Sequence, residues 1–346
     1  MLCILVFVET TAMTSVFFDE RGFGPAKNRI PWTELRALGI RTTAAGPWVE
    51  DLFWMFLSRT GLTEIPGEAL TGGELQALQA HLPGIDNGKI IRAMGCAEDR
   101  VFRIWHPDAE RTAWNEARDR TRFGALVQRL GGDGNAAGQT FEALAAAWGE
   151  PARRYHDREH LAECLLQIDL ARASGASTDL AELALWFHDA VYVPGARDNE
   201  ESSAKLLLAE SRRLQLDRAT ADAAAALVRA TAHEGSGGEP GPEEALMLDI
   251  DLSILGSDPL RFMEYEYAIE EEFEKIPRMR FRIGRGRFLA SLLARPKIFR
   301  TDLFRERSEA TAREQLSALL GTPRYRAFRL TRWLRREFWS TATEPN

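Results

Sequence analysis

The sequence predicts two domains, a small α+β domain followed by an all-α helical bundle. Three observations carry this expectation. The chain has 346 residues, long for one core and comfortable for two. Its first third holds short runs rich in β-formers. After Asp119 those runs vanish, alanine and leucine rise, and apolar residues recur at helical spacing. The expected boundaries are an extension at 1–12, the α+β domain at 13–115, the helical domain at 116–320 and a basic tail helix at 321–346.

The opening residues, MLCILVFVETTAM, contain an apolar run from Leu2 to Val8. No basic residue precedes it and it is short for a secretory core, so the expected reading is a disordered extension or an upstream start, with the fold beginning near Met13. Val16–Phe18, Asp51–Leu57 and Val101–Trp105 read as strands. Gly72–Leu82 and Asn87–Met94 have helical spacing, with Pro83-Gly84 between them and Asp86-Asn87 as a cap. Trp48, Trp54 and Phe56 read as core.

In the second part, nine segments fit amphipathic helices: Phe123–Leu130, Phe141–Trp148, His160–Ala173, Leu180–Phe187, Glu201–Leu214, Ala219–Ala232, Glu243–Leu255, Pro259–Lys275 and Arg307–Leu319. Gly131–Gly138 and Gly235–Pro242 read as loops. The tail Arg324–Trp339 is basic and aromatic, and reads as a terminal helix with its arginines in solvent.

Composition narrows the function. Apolar residues make up 45% of the chain and charged residues 27%, as in a soluble globular protein. A net charge of −7 argues against general nucleic-acid binding, which rests on a clustered positive surface. No stretch reaches the length of a membrane-spanning helix, so no membrane partner is expected. Cys3, Cys96 and Cys164 are far apart and show no paired spacing, which disfavours disulfides and thiolate zinc sites and fits a reducing cytoplasm.

Four of the six histidines, His156, His160, His188 and His233, lie in the helical part among carboxylates. His156 and His160 are four apart, so on a helix they would share one face. His188-Asp189 closes the apolar run Leu180–Phe187. A carboxylate arriving there must be in or near the core, where it needs a cation or strong donors. A divalent metal meets that need, and a neutral imidazole is a natural co-ligand. Asp249 and Asp251 likewise interrupt an apolar helix. Two positions apart they point about 200° apart, so only one can easily face a small site.

The order His…His-Asp…Asp over successive helices resembles the HD superfamily of metal-dependent phosphohydrolases. The segments RRYHDREHL, ALWFHDAVYVPGARDNEESSA, TAHE, LDIDLSILG, GRGRFLASLLARPKIFRT and ERSEATAREQL together resemble one bacterial family of HD phosphohydrolases, over about residues 120–320. The Tyr-His-x-x-x-His form also resembles the cyclic-nucleotide phosphodiesterases. The resemblance implies an HD-type helical bundle. It implies His160, His188, Asp189 and Asp251 as metal ligands and His156 as the general acid, with Asp189 able to bridge a second ion. It implies one or two divalent ions, manganese, iron, nickel, cobalt or zinc, with magnesium at a carboxylate-rich second position. An arginine is common where Glu270 stands, which sets this chain apart from that pattern. IPWTELRALGIRTTAAGPWVEDLFWMF and LPGIDNGKIIRAMG resemble a small uncharacterised bacterial domain that usually stands alone.

The expected activity is hydrolysis of a nucleotide or other phosphoester by metal-activated water, with Asp189 and His156 at the reaction centre. Arg153, Lys205, His233 and Arg285 are candidates for holding substrate. Two rivals are a di-iron oxygenase of the same helical fold, for which His233 is the pointer, and a noncatalytic nucleotide sensor. The expected partner is a small phosphoester or nucleotide, and self-association is left open.

Overall fold

The computed structural model describes residues 10–12, 17–24, 29–46, 50–70, 72–232 and 240–331. In chain order its strands are Thr10–Ala12 (β1), Phe17–Asp19 (β2), Gly22–Gly24 (β3), Ile30–Pro31 (β4), Leu35–Thr42 (β5), Leu52–Ser58 (β6), Gly61–Pro66 (β7) and Arg100–Trp105 (β8). Five of them form a sheet of order β1-β7-β6-β5-β8, and β2-β3-β4 form a second, antiparallel sheet. Within the larger sheet β1 runs parallel to β7 and the other neighbours are antiparallel. Helices Gly72–His81 (α1), Asn87–Met94 (α2) and the single turn Ala109–Thr112 (α3) complete this part.

The rest is helical: Glu116–Arg129 (α4), Ala137–Trp148 (α5), Arg158–Ala173 (α6), Asp179–Phe187 (α7), Asn199–Arg213 (α8), Arg218–Ala230 (α9), Pro242–Asp251 (α10), Pro259–Glu272 (α11), Arg278–Leu293 (α12) and Asp302–Gly321 (α13). Among the described residues no helix is long and apolar enough to cross a membrane. The expected division into a small sheet part and a helical part is therefore present. Thr10–Ala12, expected to belong to an unstructured extension, instead extend the sheet as β1. The open edge of β7 supplies the ladder that they complete. Trp48, Val16 and the tail beyond residue 331 lie outside the described residues, while Trp54 and Phe56 are core as expected.

Both faces of the larger sheet are buried. Leu38, Ile40, Trp54, Phe56, Ile65 and Ile104 pack under α1 and α2. Ala37, Met55, Leu57, Leu62 and Val101 join the same apolar cluster as the helical part. This explains why β5 (LRALGIRT) escapes a strand reading: a central strand covered on both sides shows no polar alternation. It also means that the helical part does not close its core alone, although Glu116, its first expected residue, does open α4.

Charge reinforces this seam. Lys89 on α2 is buried, with Nζ 2.8 Å from Glu159 Oε2 and 2.9 Å from Glu264 Oε1. Arg103 on β8 bonds Glu163 at 2.7 Å and Asp258 at 3.1 Å. Arg261 bonds Glu163 at 2.8 Å from within α11. Burial alone would discharge Lys89, but Glu159 and Glu264 outweigh it and raise its pKa. Breaking a buried pair from one side leaves charge uncompensated. Lys89→Met should therefore lower stability by about 3 kcal/mol, the low end for such a loss because Glu159 keeps some solvent contact. Urea unfolding of the full chain reads this directly; a change within about 0.5 kcal/mol would reject the seam as a stabilising feature.

Candidate functional site

The site is built where several helix ends meet. In α7 every residue from Ala181 to Phe187 is buried, so the chain leaves that helix inside the protein. His188 is its C-cap and Asp189 follows directly. His188 Nδ1 lies 2.8 Å from the Leu185 carbonyl oxygen. A carbonyl only accepts, so Nδ1 carries a proton, and Nε2 is the ring atom turned toward His160 and Asp189. On α6, Asp157 is the N-cap and accepts from the amides of Glu159 and His160, at 2.9 and 3.2 Å, which seats His160 in the first turn. Asp251 ends α10.

These side chains converge. His160 Nε2 is 3.3 Å from His188 Nε2, and His188 Nε2 is 3.0 Å from Asp189 Oδ2. Asp251 Oδ1 is 3.5 Å from the Nε2 atoms of both histidines. The buried group His160, His188 and Asp189 could hold a metal ion. Donors about 2.1 Å from one ion stand about 3.0 Å apart at right angles and about 3.4 Å apart at the tetrahedral angle. The observed separations match that span, and the mixed nitrogen and oxygen set suits a divalent transition metal. The electrostatics agree. Burial works against charge on His188, yet Asp189, and then Asp251, raise its pKa well above the usual value. Burial would raise the Asp189 pKa, but His188 and His156 hold it below the ordinary range. His160 goes the other way, its pKa lowered by burial against the pull of Asp251.

Asp249 faces elsewhere. Its carboxylate accepts the amides of Arg300 and Thr301 and the Thr301 hydroxyl, each at 2.7 Å, and so anchors the start of α13. The opposed faces expected for the two aspartates are observed, with Asp251 on the histidine side.

His156 lies in the turn before α6. Its Nδ1 is 2.7 Å from Glu272 Oε2, and the Tyr192 ring packs over it at 4.2 Å between centroids. Glu272 ends α11 with its side chain fully buried. Its Oε1 accepts three consecutive amides, Arg154, Tyr155 and His156, at 2.8 to 3.0 Å. Its Oε2 also accepts the Tyr192 hydroxyl at 2.9 Å. Burial pushes the Glu272 pKa up, but the His156 bond and charge, then the amides, pull it down to about 2. Burial opposes charge on His156, but Asp189, then Glu272, raise its pKa. Sequence reasoning missed Glu272, which sits in the run EEEFEK and looks like a solvated face. The available signal was helical spacing: Tyr265, Ile269 and Glu272 fall on one stripe of α11.

The donors expected to hold substrate are dispersed. Arg153 is buried, with Nη1 bonding the carbonyl oxygens of His156 (3.0 Å) and Asp189 (2.6 Å) and Nη2 that of Ala190 (3.2 Å). It is a clamp between the His156 turn and the Asp189 turn, because carbonyls have taken the donors that a phosphate would need. Lys205 is exposed on α8 and pairs with Glu201, apart from the residues lining the cavity. Arg285 does line the cavity but is bound to Glu266 at 2.7 Å and to the Tyr265 hydroxyl. His233 lies outside the described residues. Glu270 is ringed by Arg278, Arg282 and Arg324, which compensates the acid at that position. The cavity, about 490 Å³, has His156, His188, Asp189 and Asp251 in its lining. No family model, curated protein or solved structure matches this chain.

Asp249→Ala should strand two amides and destabilise the fold by about 2–4 kcal/mol while leaving metal content unchanged. Asp251→Ala should remove the metal with little effect on folding of the metal-free chain. Elemental analysis beside urea unfolding reads both, and a reversed pattern would transfer the ligand role to Asp249.

Proposed function

We propose that the chain is a metal-dependent phosphohydrolase of the HD type, acting on a nucleotide or other phosphoester. The observation that carries this reading is the convergence of His160, His188, Asp189 and Asp251, with donor atoms 3.0 to 3.5 Å apart, beside an open cavity. A divalent ion there would supply Lewis acidity toward a phosphoryl group and would acidify water. The chain's own residues do the rest. Glu272 holds His156 Nδ1, which leaves Nε2 to give a proton to the leaving oxygen. The Tyr192 ring fixes the tilt of that imidazole. Arg153 ties the His156 carbonyl to the Asp189 carbonyl, so acid and ligand keep a fixed separation.

The test is phosphate release from a panel of nucleotides and simple phosphoesters with Mn²⁺. His160→Ala should lose metal and activity together. His156→Ala should keep the metal and slow turnover by about 10²–10⁴. That deficit should shrink on a nitrophenyl ester, whose leaving group departs without a proton. Equal losses with good and poor leaving groups, chemistry being rate-limiting for both, would remove His156 from the acid role. A metal-loaded chain that releases phosphate from nothing in the panel would count against the hydrolase reading itself.

A further inference from the structure

The cavity beside the donor cluster has a marked composition. Away from the histidines its walls are apolar, with Ile254, Ile269, Phe273, Ile276, Phe281 and Phe288 facing the space. At about 490 Å³ it is large enough for a fused-ring body carrying one phosphate. Its acidic lining is Asp189, Asp251 and Glu200. Of its two arginines, Arg285 is neutralised by Glu266, which bonds it at 2.7 Å. Arg280, at the exposed start of α12, has no ion-pair partner among the described residues. The Tyr155 hydroxyl is a further unspent donor: the residue is buried, lines the cavity, and its hydroxyl has no hydrogen-bond partner among the described residues. Buried donors of this kind are normally satisfied, so an oxygen of a bound molecule is the natural complement.

Gly284 keeps the exposed rim of the cavity open. It lies inside α12, where glycine is disfavoured relative to alanine. A Cβ built there meets nothing within 4 Å, and the residue lines the cavity. The missing side chain therefore leaves room without serving any packing contact.

We propose that the site takes a phosphomonoester with an uncharged, apolar body of aromatic size, in preference to nucleoside di- and triphosphates. This deepens the phosphohydrolase reading and rests on it. One phosphate meets the donor cluster, Tyr155 and Arg280. Outside the donor cluster, Arg280 is the one lining arginine without an ion-pair partner among the described residues, so a second and third phosphate would have a single cation to balance them. The apolar body lies against Phe281 and Phe288, where its burial supplies affinity. In the reaction, water provides the oxygen of the new P–O bond and the ester P–O bond breaks. The leaving alcohol takes its proton from His156, and a proton from the water replaces it.

The experiment uses the full chain with Mn²⁺ and compares 2-naphthylethyl phosphate with ethyl phosphate, whose alcohols have similar acidity, and with ATP. Naphthylethyl phosphate should have a kcat/KM at least tenfold above the other two. Its phosphonate analogue, which has no ester oxygen to lose, should bind with a change in naphthalene fluorescence. Gly284→Leu should cut the naphthylethyl-to-ethyl preference at least tenfold and weaken phosphonate binding by a similar factor. Turnover of ATP or ethyl phosphate equal to that of naphthylethyl phosphate would overturn the substrate class while leaving the hydrolase reading intact. So would phosphonate binding that Gly284→Leu does not alter. Phosphonate binding that Gly284→Leu weakens, with no ester turned over, would uphold the class of ligand and defeat the hydrolase reading.

Discussion

A carboxylate delivered into the protein interior is the constraint around which the helical part is arranged. Asp189 comes just after a helix whose last seven residues are all buried, so its carboxylate is withdrawn from water except at its edge on the cavity. An uncompensated charge there would cost several kcal/mol. The surroundings answer with His188 and His160 on one side and a polarising clamp, Arg153, across the backbone. Asp251 adds a second carboxylate to the same point, which raises the need for a cation rather than relieving it. The cluster is thus a place where folding leaves a demand for positive charge, which an ion held by His160, His188 and Asp189 could meet.

The sheet part takes its place in this arrangement through α6. Two residues on that helix, Glu159 and Glu163, turn toward Lys89 and Arg103, while His160 turns toward His188 and Asp251. The helix that bears His160 is therefore gripped from its far side by another part of the chain. Such a grip limits rotation of α6 about its axis, the motion that would most directly misplace His160 Nε2. An ionic seam with fixed geometry serves that purpose better than apolar contact alone, since it specifies one register.

How much of this was legible follows from the kind of signal each residue gives. His188 and Asp189 stand out because they close an apolar run and Asp251 because it interrupts one, where polar groups must be satisfied, while His160 stands out by its four-residue spacing from His156. Asp249 and Asp251 were separable by helix angle, and their ranking by resemblance agrees with the side each one faces. Glu272 was invisible in the same sense that surface acids are. Its partners are backbone amides some 116 residues away in sequence, and no composition rule marks them. Arg153 was visible as a cation but not as a clamp, because carbonyl partners leave no trace in side-chain pattern. In the sheet part, edge strands and hairpins announced themselves less well than their content of β-formers suggests. Burial on both faces erased the alternation that separates a strand from a short buried helix in β5.

Helix α11 ties the two ends of the molecule together. At its first turns Glu264 receives Lys89 and the Arg103 amide, and at its last residue Glu272 receives three amides of the His156 turn. Eight residues of helix separate these attachments, about 12 Å of stiff rod. A rod pinned at both ends transmits displacement instead of absorbing it. Whatever shifts the sheet along that axis shifts the His156 imidazole by a comparable distance. The sheet part thereby acquires leverage over the placement of the candidate site.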